Sequence, residues 1–250
     1  MFFSNTYKTM KEVRYFYVPN AANAGELPEE EAKHAIRVLR LQSGDRMFLV
    51  DGDGGLFDAE VSVASGKHCL YNIVEKMPCK REWHGRITLS IAPTKMMDRI
   101  EWMAEKATEI GFDEIDFLDC KFSERKSLRT DRIERIVVSA MKQSHKAWKP
   151  MVGDMEPFAK FVSAPRDGRK FIAHCYAEIE RKDLFETLAA VPVEEPVTVL
   201  VGPEGDFSID EVKLAIENGF EPVSLGLSRL RTETAGLSAV MMANISKRRL

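Results

Sequence analysis

The sequence predicts a two-domain α/β protein: a small N-terminal β-barrel followed by a C-terminal domain built on a mainly parallel sheet with helices on both faces. Two observations carry this reading. Between residues 13 and 76, short β-rich runs are broken by Gly- and Asp-rich turns, the spacing of a small barrel. From residue 86 onward, strand-like and helix-like periods alternate, the order that builds a parallel sheet. A length of 250 residues with 44% hydrophobic content is enough for two modest cores.

In the first half the strands are expected at 14–18, 46–50, 56–63 and 69–74, separated by Gly44-Asp45, Asp51-Gly-Asp-Gly-Gly55 and Ser65-Gly66. One short helix, 29–39, interrupts them. Residues 77–84, with Pro78 and mixed charge, read as a linker, which sets the domains at 1–78 and 84–250. In the second half a strand at 86–92 leads to a helix whose one face is Ile100, Met103, Ala104, Ala107 and Ile110, closed by Gly111. A strand at 114–118, a helix at 131–145, a strand at 170–174 and a helix at 182–190 follow.

The last fifty residues are the most informative. Pro196-Val-Thr-Val-Leu-Val201 is a continuous apolar run, as expected of a strand buried on both faces, and Gly202-Pro-Glu-Gly205 follows it. Ser208-Ile-Asp-Glu211 then reads as a capping box. A second strand, 222–225, ends at Gly226, and Leu230-Arg-Thr-Glu-Thr-Ala235 opens a final helix from about Thr234. Two strand-to-helix loops therefore face one sheet edge, where ligands of such sheets bind. Gly-Pro-Glu-Gly is not GxGxxG and lacks a Lys-Ser/Thr pair, so it is a poor cradle for a polyphosphate. Taken singly, a plain turn and a helix N-cap explain each loop; their pairing suggests a ligand held by backbone groups.

Net charge is −3, which argues against a nucleic-acid partner, yet residues 121–149 hold nine basic residues against three acidic. That segregation suggests a basic face, with a solvated helix as the plain alternative. Gln143, His145 and Trp148 in the same stretch add hydrogen-bonding and stacking groups and tilt the reading toward RNA. The four cysteines form no CxxC pair, so free thiols and no metal are expected. No apolar run approaches a membrane span and the first residues lack a secretory core, so a cytoplasmic protein is expected.

These residues resemble a known family, the bacterial 16S ribosomal RNA uridine-N3 methyltransferases of the SPOUT class. His34-Ala-Ile-Arg-Val-Leu-Arg40 with the 44–45 and 51–55 turns is similar to the family's N-terminal domain. Lys106-Ala-Thr-Glu-Ile-Gly111, Gln143-Ser144, Gly202-Pro-Glu-Gly205 and Leu225-Gly226 with Leu230–Ala235 are similar to its C-terminal signatures, the last two being specific as a pair. The resemblance implies a PUA-like RNA-binding barrel, a trefoil-knotted α/β domain, a homodimer formed through that domain, and S-adenosyl-L-methionine as cofactor. The implied cofactor residues are Ala173, His174, Val201, Gly202, Glu204, Gly205, Leu225, Gly226, Leu230, Thr232, Thr234 and Ala235. Two departures stand out: the family has a glycine where this chain has Asp206, and a glycine within a Glu-Gln-Ser-Gly-Arg-like run where it has His145.

The chemistry can be reasoned from the residues. A uridine N3 becomes nucleophilic only as its proton leaves and charge spreads to the flanking carbonyl oxygens, so a nearby cation should help. Arg231 is the candidate for that role; Glu233 either orients it, accepts the proton, or simply favours the positive end of the last helix. Arg14, His34, Arg37 and Arg40 are expected on RNA phosphates, the last two sharing one side of a helix at i and i+3. Arg125, Lys126, Gln143 and Lys146 are expected on RNA from the basic stretch. Two alternatives stay open: a related enzyme acting on transfer RNA or large-subunit RNA, and an RNA-binding module without catalysis.

Overall fold

The glycine-punctuated first half folds into strands at the expected places. The structure, a computed structural model, describes residues 14–248. β1 (Tyr15–Tyr17), β2 (Arg46–Val50), β3 (Leu56–Ser65) and β4 (His68–Met77) form a four-stranded sheet in chain order, β1 parallel to β2 and the other pairs antiparallel. Phe16, Met47, Leu49, Phe57, Val61 and Tyr71 fill the core beneath them, with Ala21 of α1 (Ala21–Ala24) and Ala32 of α2 (Glu29–Lys33). The helix expected over 29–39 is α2 continued by a π-helical turn, His34–Val38, after which Arg40 takes a left-handed φ of 55°. Arg37 and Arg40 are therefore not i and i+3 of a regular helix, and the shared-side argument for them fails.

Packing divides the described residues into two units. The first runs to Lys80 and also takes in Met141–Lys149; the second comprises Arg81–Ala140 and the residues from Pro150 onward. Residues 141–149, expected in the C-terminal domain, thus pack with the first unit. What draws that segment to the first unit is a close fit to the 51–55 loop: Gly54 N–H donates to Ala147 O at 2.9 Å and Lys149 N–H to Gly52 O at 2.9 Å. Gly54 has a φ of 98°, and a Cβ on it would lie 2.8 Å from the Trp148 indole, so only glycine fits under that ring.

In the second unit strands and helices alternate, as β5 (Ile87–Ile91), α3 (Met97–Ile110), β6 (Glu114–Asp119), α4 (Thr130–Gln143), β7 (Met151–Pro157), α5 (Phe158–Ser163), β8 (Arg169–Ala173), β9 (Lys182–Asp183), α6 (Leu184–Ala189), β10 (Val197–Val201), α7 (Ile209–Glu217), β11 (Glu221–Ser224) and α8 (Thr232–Ser246). The seven strands are all parallel, in the order β7-β6-β5-β10-β8-β11-β9. β10 thus sits between two strands that precede it in the chain, and every one of its residues is buried. Val197, Val199 and Val201 face α3, α6 and α8, while Leu200 faces α5 and α7. Helices on both faces explain why this strand reads as an unbroken apolar run.

β7 and α5 carry no sequence signal because β7 is a half-exposed edge strand of mixed polarity and α5 is six residues long, too short for a 3.6 period to register. The capping box is present: Ser208 Oγ accepts from Glu211 N–H, and the Glu211 carboxylate accepts from Ser208 N–H at 2.8 Å.

Candidate active site

A parallel sheet delivers the carboxyl ends of its strands to one edge, and here β8, β10 and β11 end around a cavity of about 850 Å³. Val201, Gly202, Pro203, Glu204 and Asp206 line it from the loop after β10; Leu225, Gly226, Leu230, Arg231, Thr232, Glu233 and Ala235 line it from the second loop and the start of α8. Ala173 and His174 close it from the end of β8. Gly202 is needed for close packing, since a Cβ there would lie 2.9 Å from Phe207 N. Gly205 and Thr234, the remaining cofactor candidates, are outside the lining. Gly205 turns its Cβ position toward Phe122 Cβ, 3.3 Å away, and Thr234 is exposed on the outer side of the helix turn that buries Glu233.

Asp206 adopts a φ of 67°, a conformation that ordinarily favours glycine, and its carboxylate stabilises the turn from within. Oδ1 accepts from Phe207 N–H at 2.7 Å, and Oδ2 accepts from Cys175 N–H at 2.8 Å, fastening the loop after β10 to the end of β8. Tyr176 Oη adds a donor to Phe207 O at 2.8 Å. The same segment fixes His174: its Nδ1 accepts from Tyr176 N–H at 3.2 Å, and Arg181 donates to its carbonyl at 2.6 Å. Burial holds the His174 pKa below the ordinary histidine value. The ring is thus neutral at pH 7 with its proton on Nε2, and that buried nitrogen has no hydrogen-bond partner among the described residues.

Glu233 lies in the first turn of α8, only 8% exposed. Its Oε1 is 3.6 Å from Arg99 Nη1, and its Oε2 is buried without a hydrogen-bond partner among the described residues. The carboxylate therefore pairs with Arg99 and not, as one sequence reading had it, with Arg231. Arg231 is exposed at the N-cap of α8 and lines the cavity. Arg99 and Arg181, both lining residues, went unnoticed in the sequence. For Arg99 a signal existed: with Met103 four residues on, it continues the buried stripe of α3 to the helix start.

Two charged groups hold the segment before α3. Glu204 Oε1 accepts from Lys95 N–H at 2.9 Å, and Arg125 donates to Thr94 O at 3.1 Å and to Lys95 O at 2.6 Å. Arg125, expected on RNA, is committed internally. Lys126 is exposed and bonded to Asp119 at 2.6 Å and to Cys120 O at 3.1 Å. In the first unit His34, Arg37, Arg40 and Gln143 are exposed, and Arg14 and Lys146 are half-buried. Trp148, expected to stack on bases, is instead packed on Gly54. No described helix is long and apolar enough to cross a membrane.

A parallel α/β unit whose late loops enclose a pocket at the carboxyl edge of its sheet belongs to the ligand-binding α/β class, and comparison makes the family definite. Residues 81–244 match the RNA methyltransferase domain and residues 27–74 the RNA methyltransferase PUA domain, so the chain belongs to the RNA methyltransferase family. The ribosomal RNA small subunit methyltransferase E of Synechocystis is 31% identical over 213 residues, 83% of this chain and 68% of the relative. The structure of a probable rRNA-methyltransferase from Porphyromonas gingivalis superposes with a TM-score of 0.86 at 42% identity, covering 94% of this chain and 98% of that one. Ribosomal RNA small subunit methyltransferase E of Neisseria gonorrhoeae, bound to S-adenosyl methionine, superposes with a TM-score of 0.77 at 26% identity, covering 92% and 95%.

Proposed function

We propose that this chain methylates N3 of a uridine in the 16S RNA of the small ribosomal subunit, with S-adenosylmethionine as methyl donor. The observation that carries the reading is the convergence of the 201–206 and 225–235 segments on one cavity that is also lined by His174 and Glu233, each of which keeps one buried polar atom unbonded among the described residues. These fit the cofactor. Neutral His174 offers it a donor, Gly202 keeps the loop close, and main-chain groups of Leu225, Gly226 and Leu230 are available to its polar edges. The sulfonium supplies an electrophilic methyl group.

The chain's own residues then do three things. Arg231, at the cavity mouth, places a guanidinium where charge grows on the uracil carbonyl oxygens as N3 loses its proton. Glu233 Oε2 receives that proton, directly or through a water. Arg99 supplies the countercharge that keeps a carboxylate in so buried a place. Arg14, His34, Arg37 and Arg40, with Gln143 and Lys146, bind RNA from the first unit, which acts as a PUA-like RNA-binding domain.

The reading extends to a trefoil-knotted second domain, supported by the placement of β10 between earlier strands. It extends also to a homodimer, supported by exposed Trp102 on α3 and exposed Met241 and Ile245 on α8, the helix packed beside it. A ribosomal substrate places the protein in the cytoplasm. Calorimetry with S-adenosylmethionine, followed by mass spectrometry of 16S nucleosides from small subunits incubated with protein and cofactor, tests the core of the reading. Binding together with N3-methyluridine is expected. Absence of binding overturns catalysis in favour of an RNA-binding module, and a methyl found only on transfer or large-subunit RNA overturns the substrate.

A further inference from the structure

Three rings stack from the interior of the first unit to its surface. Phe48 in β2 is buried; Tyr15 of β1 lies on it with ring centroids 5.4 Å apart and planes 25° from parallel. His145 lies on Tyr15 at 4.4 Å and 13°. His145 is exposed, so the column ends at solvent in a flat imidazole.

The turn that carries His145 does not ask for this side chain. His145 N–H donates to Lys142 O and Lys146 N–H to Met141 O, closing the end of α4 around a residue with φ of 57°. Glycine is the residue that adopts such a φ without strain. An imidazole held here against the backbone preference, and aligned within 13° of the ring below it, is a candidate for function. Arg14 precedes Tyr15 and Lys146 follows His145 in sequence, so each stacked ring has a cation as chain neighbour.

We infer that His145 is a stacking platform for an unpaired base of the RNA substrate, the Phe48–Tyr15 column bracing it from below. The inference rests on the proposed action on ribosomal RNA. Single-stranded RNA is read largely by laying splayed bases on flat side chains while nearby cations meet the phosphates. A braced, near-parallel ring costs little further ordering when a base arrives.

The test uses the full chain, 16S RNA and small ribosomal subunits, with His145→Gly and His145→Phe beside the wild type. His145→Gly is expected to weaken RNA binding about tenfold, the loss of one base stack. The slope of log affinity against log salt should stay unchanged, because no phosphate contact is removed. Its melting temperature should remain within a few degrees of wild type (roughly the shift of a small ΔΔG), since glycine suits the turn. His145→Phe should keep most of the affinity. Wild-type affinity in His145→Gly, equal losses in both variants, or an unfolded His145→Gly protein would each overturn the platform. Failure of the wild type to bind either RNA would overturn the ribosomal reading itself, and the platform with it.

Discussion

The basic stretch from Lys121 to Lys149 and the loops around the cavity both carry arginines and lysines, but their cations are in different situations. Along the stretch, Lys121 is beside Asp210, Lys126 beside Asp119, Arg129 and Arg135 beside Asp131, Arg132 beside Glu101 and Lys142 beside Glu31. At the cavity, Arg229 and Arg231 form no ion pair with a described residue, and Arg99 meets its carboxylate at 3.6 Å. Local charge count is therefore a poor guide to available charge. Asp210, Glu101 and Glu31, which answer three cations of the stretch, come from distant parts of the chain. Asp210, Asp119, Glu101 and Glu31 lie outside the stretch and offset part of its positive excess, while exposed pairs of this kind contribute only about 0–1 kcal/mol each.

The largest test of the contrast is at Gly202. Gly202→Val puts a branched side chain where a single Cβ would already lie 2.9 Å from Phe207 N, and should abolish cofactor binding in calorimetry. Gly205→Ala, whose Cβ meets only Phe122 at 3.3 Å, should leave cofactor affinity within about threefold, well under the 1.4 kcal/mol that marks a decade. Equal losses in the two would mean that the loop as a whole, and not its cavity-lining half, governs binding.

Next comes chemistry. Arg231→Ala should lower the single-turnover methylation rate by about 10²–10³ while changing RNA and cofactor affinity little, because its interaction strengthens only as charge develops. Glu233→Gln should do the same. Arg132→Ala, which breaks an exposed pair of the basic stretch, should leave that rate unchanged. If Arg231→Ala weakens RNA binding instead, Arg231 is a phosphate-positioning residue.

His174→Phe tests the imidazole N–H that has no partner among the described residues. Removing one hydrogen bond of about 1–1.5 kcal/mol should weaken cofactor binding about tenfold. Because burial holds this histidine below its ordinary pKa, it loses any remaining proton before the ordinary histidine range is passed, so wild-type affinity should be flat from about pH 7.5 to 8.5 on the ordinary histidine scale. A drop in affinity across that window, absent from His174→Phe, would show that the ring is cationic when it binds.

What the sequence made legible follows from how local each signal is. The unbroken 197–201 strand, the Ser208–Glu211 cap and the pairing of two late loops are written in consecutive residues, and all three stand in the structure. The Arg99–Glu233 pair and the Asp206–Cys175 tie join residues far apart in the chain, so no window of sequence displays them. The grouping of 141–149 with the first unit was hidden for the same reason: it depends on Trp148 meeting Gly54. Arg40 was misread because a π-helical turn keeps apolar spacing close to that of an α-helix while changing where the next residues point.

The smallest expected effect separates two arginines that looked alike. Arg37 is exposed in the first unit, whereas both hydrogen-bonded nitrogens of Arg125 are committed to the carbonyls of Thr94 and Lys95. Arg37→Ala should weaken RNA binding a few-fold and lower the magnitude of the salt slope by about 1, the signature of one lost phosphate contact. Arg125→Ala should leave that slope unaltered. Its cost should fall on the rate, by about tenfold or less, because the freed 94–95 segment leads directly into the turn of α3 that presents Arg99 to Glu233, and small displacements of positioning groups are expensive. Measuring affinity at several salt concentrations and the single-turnover rate for both variants on one preparation of small subunits decides the matter. A reduced slope for Arg125→Ala would mean that its guanidinium leaves the loop to meet RNA, and the basic stretch would regain part of the role its composition suggested.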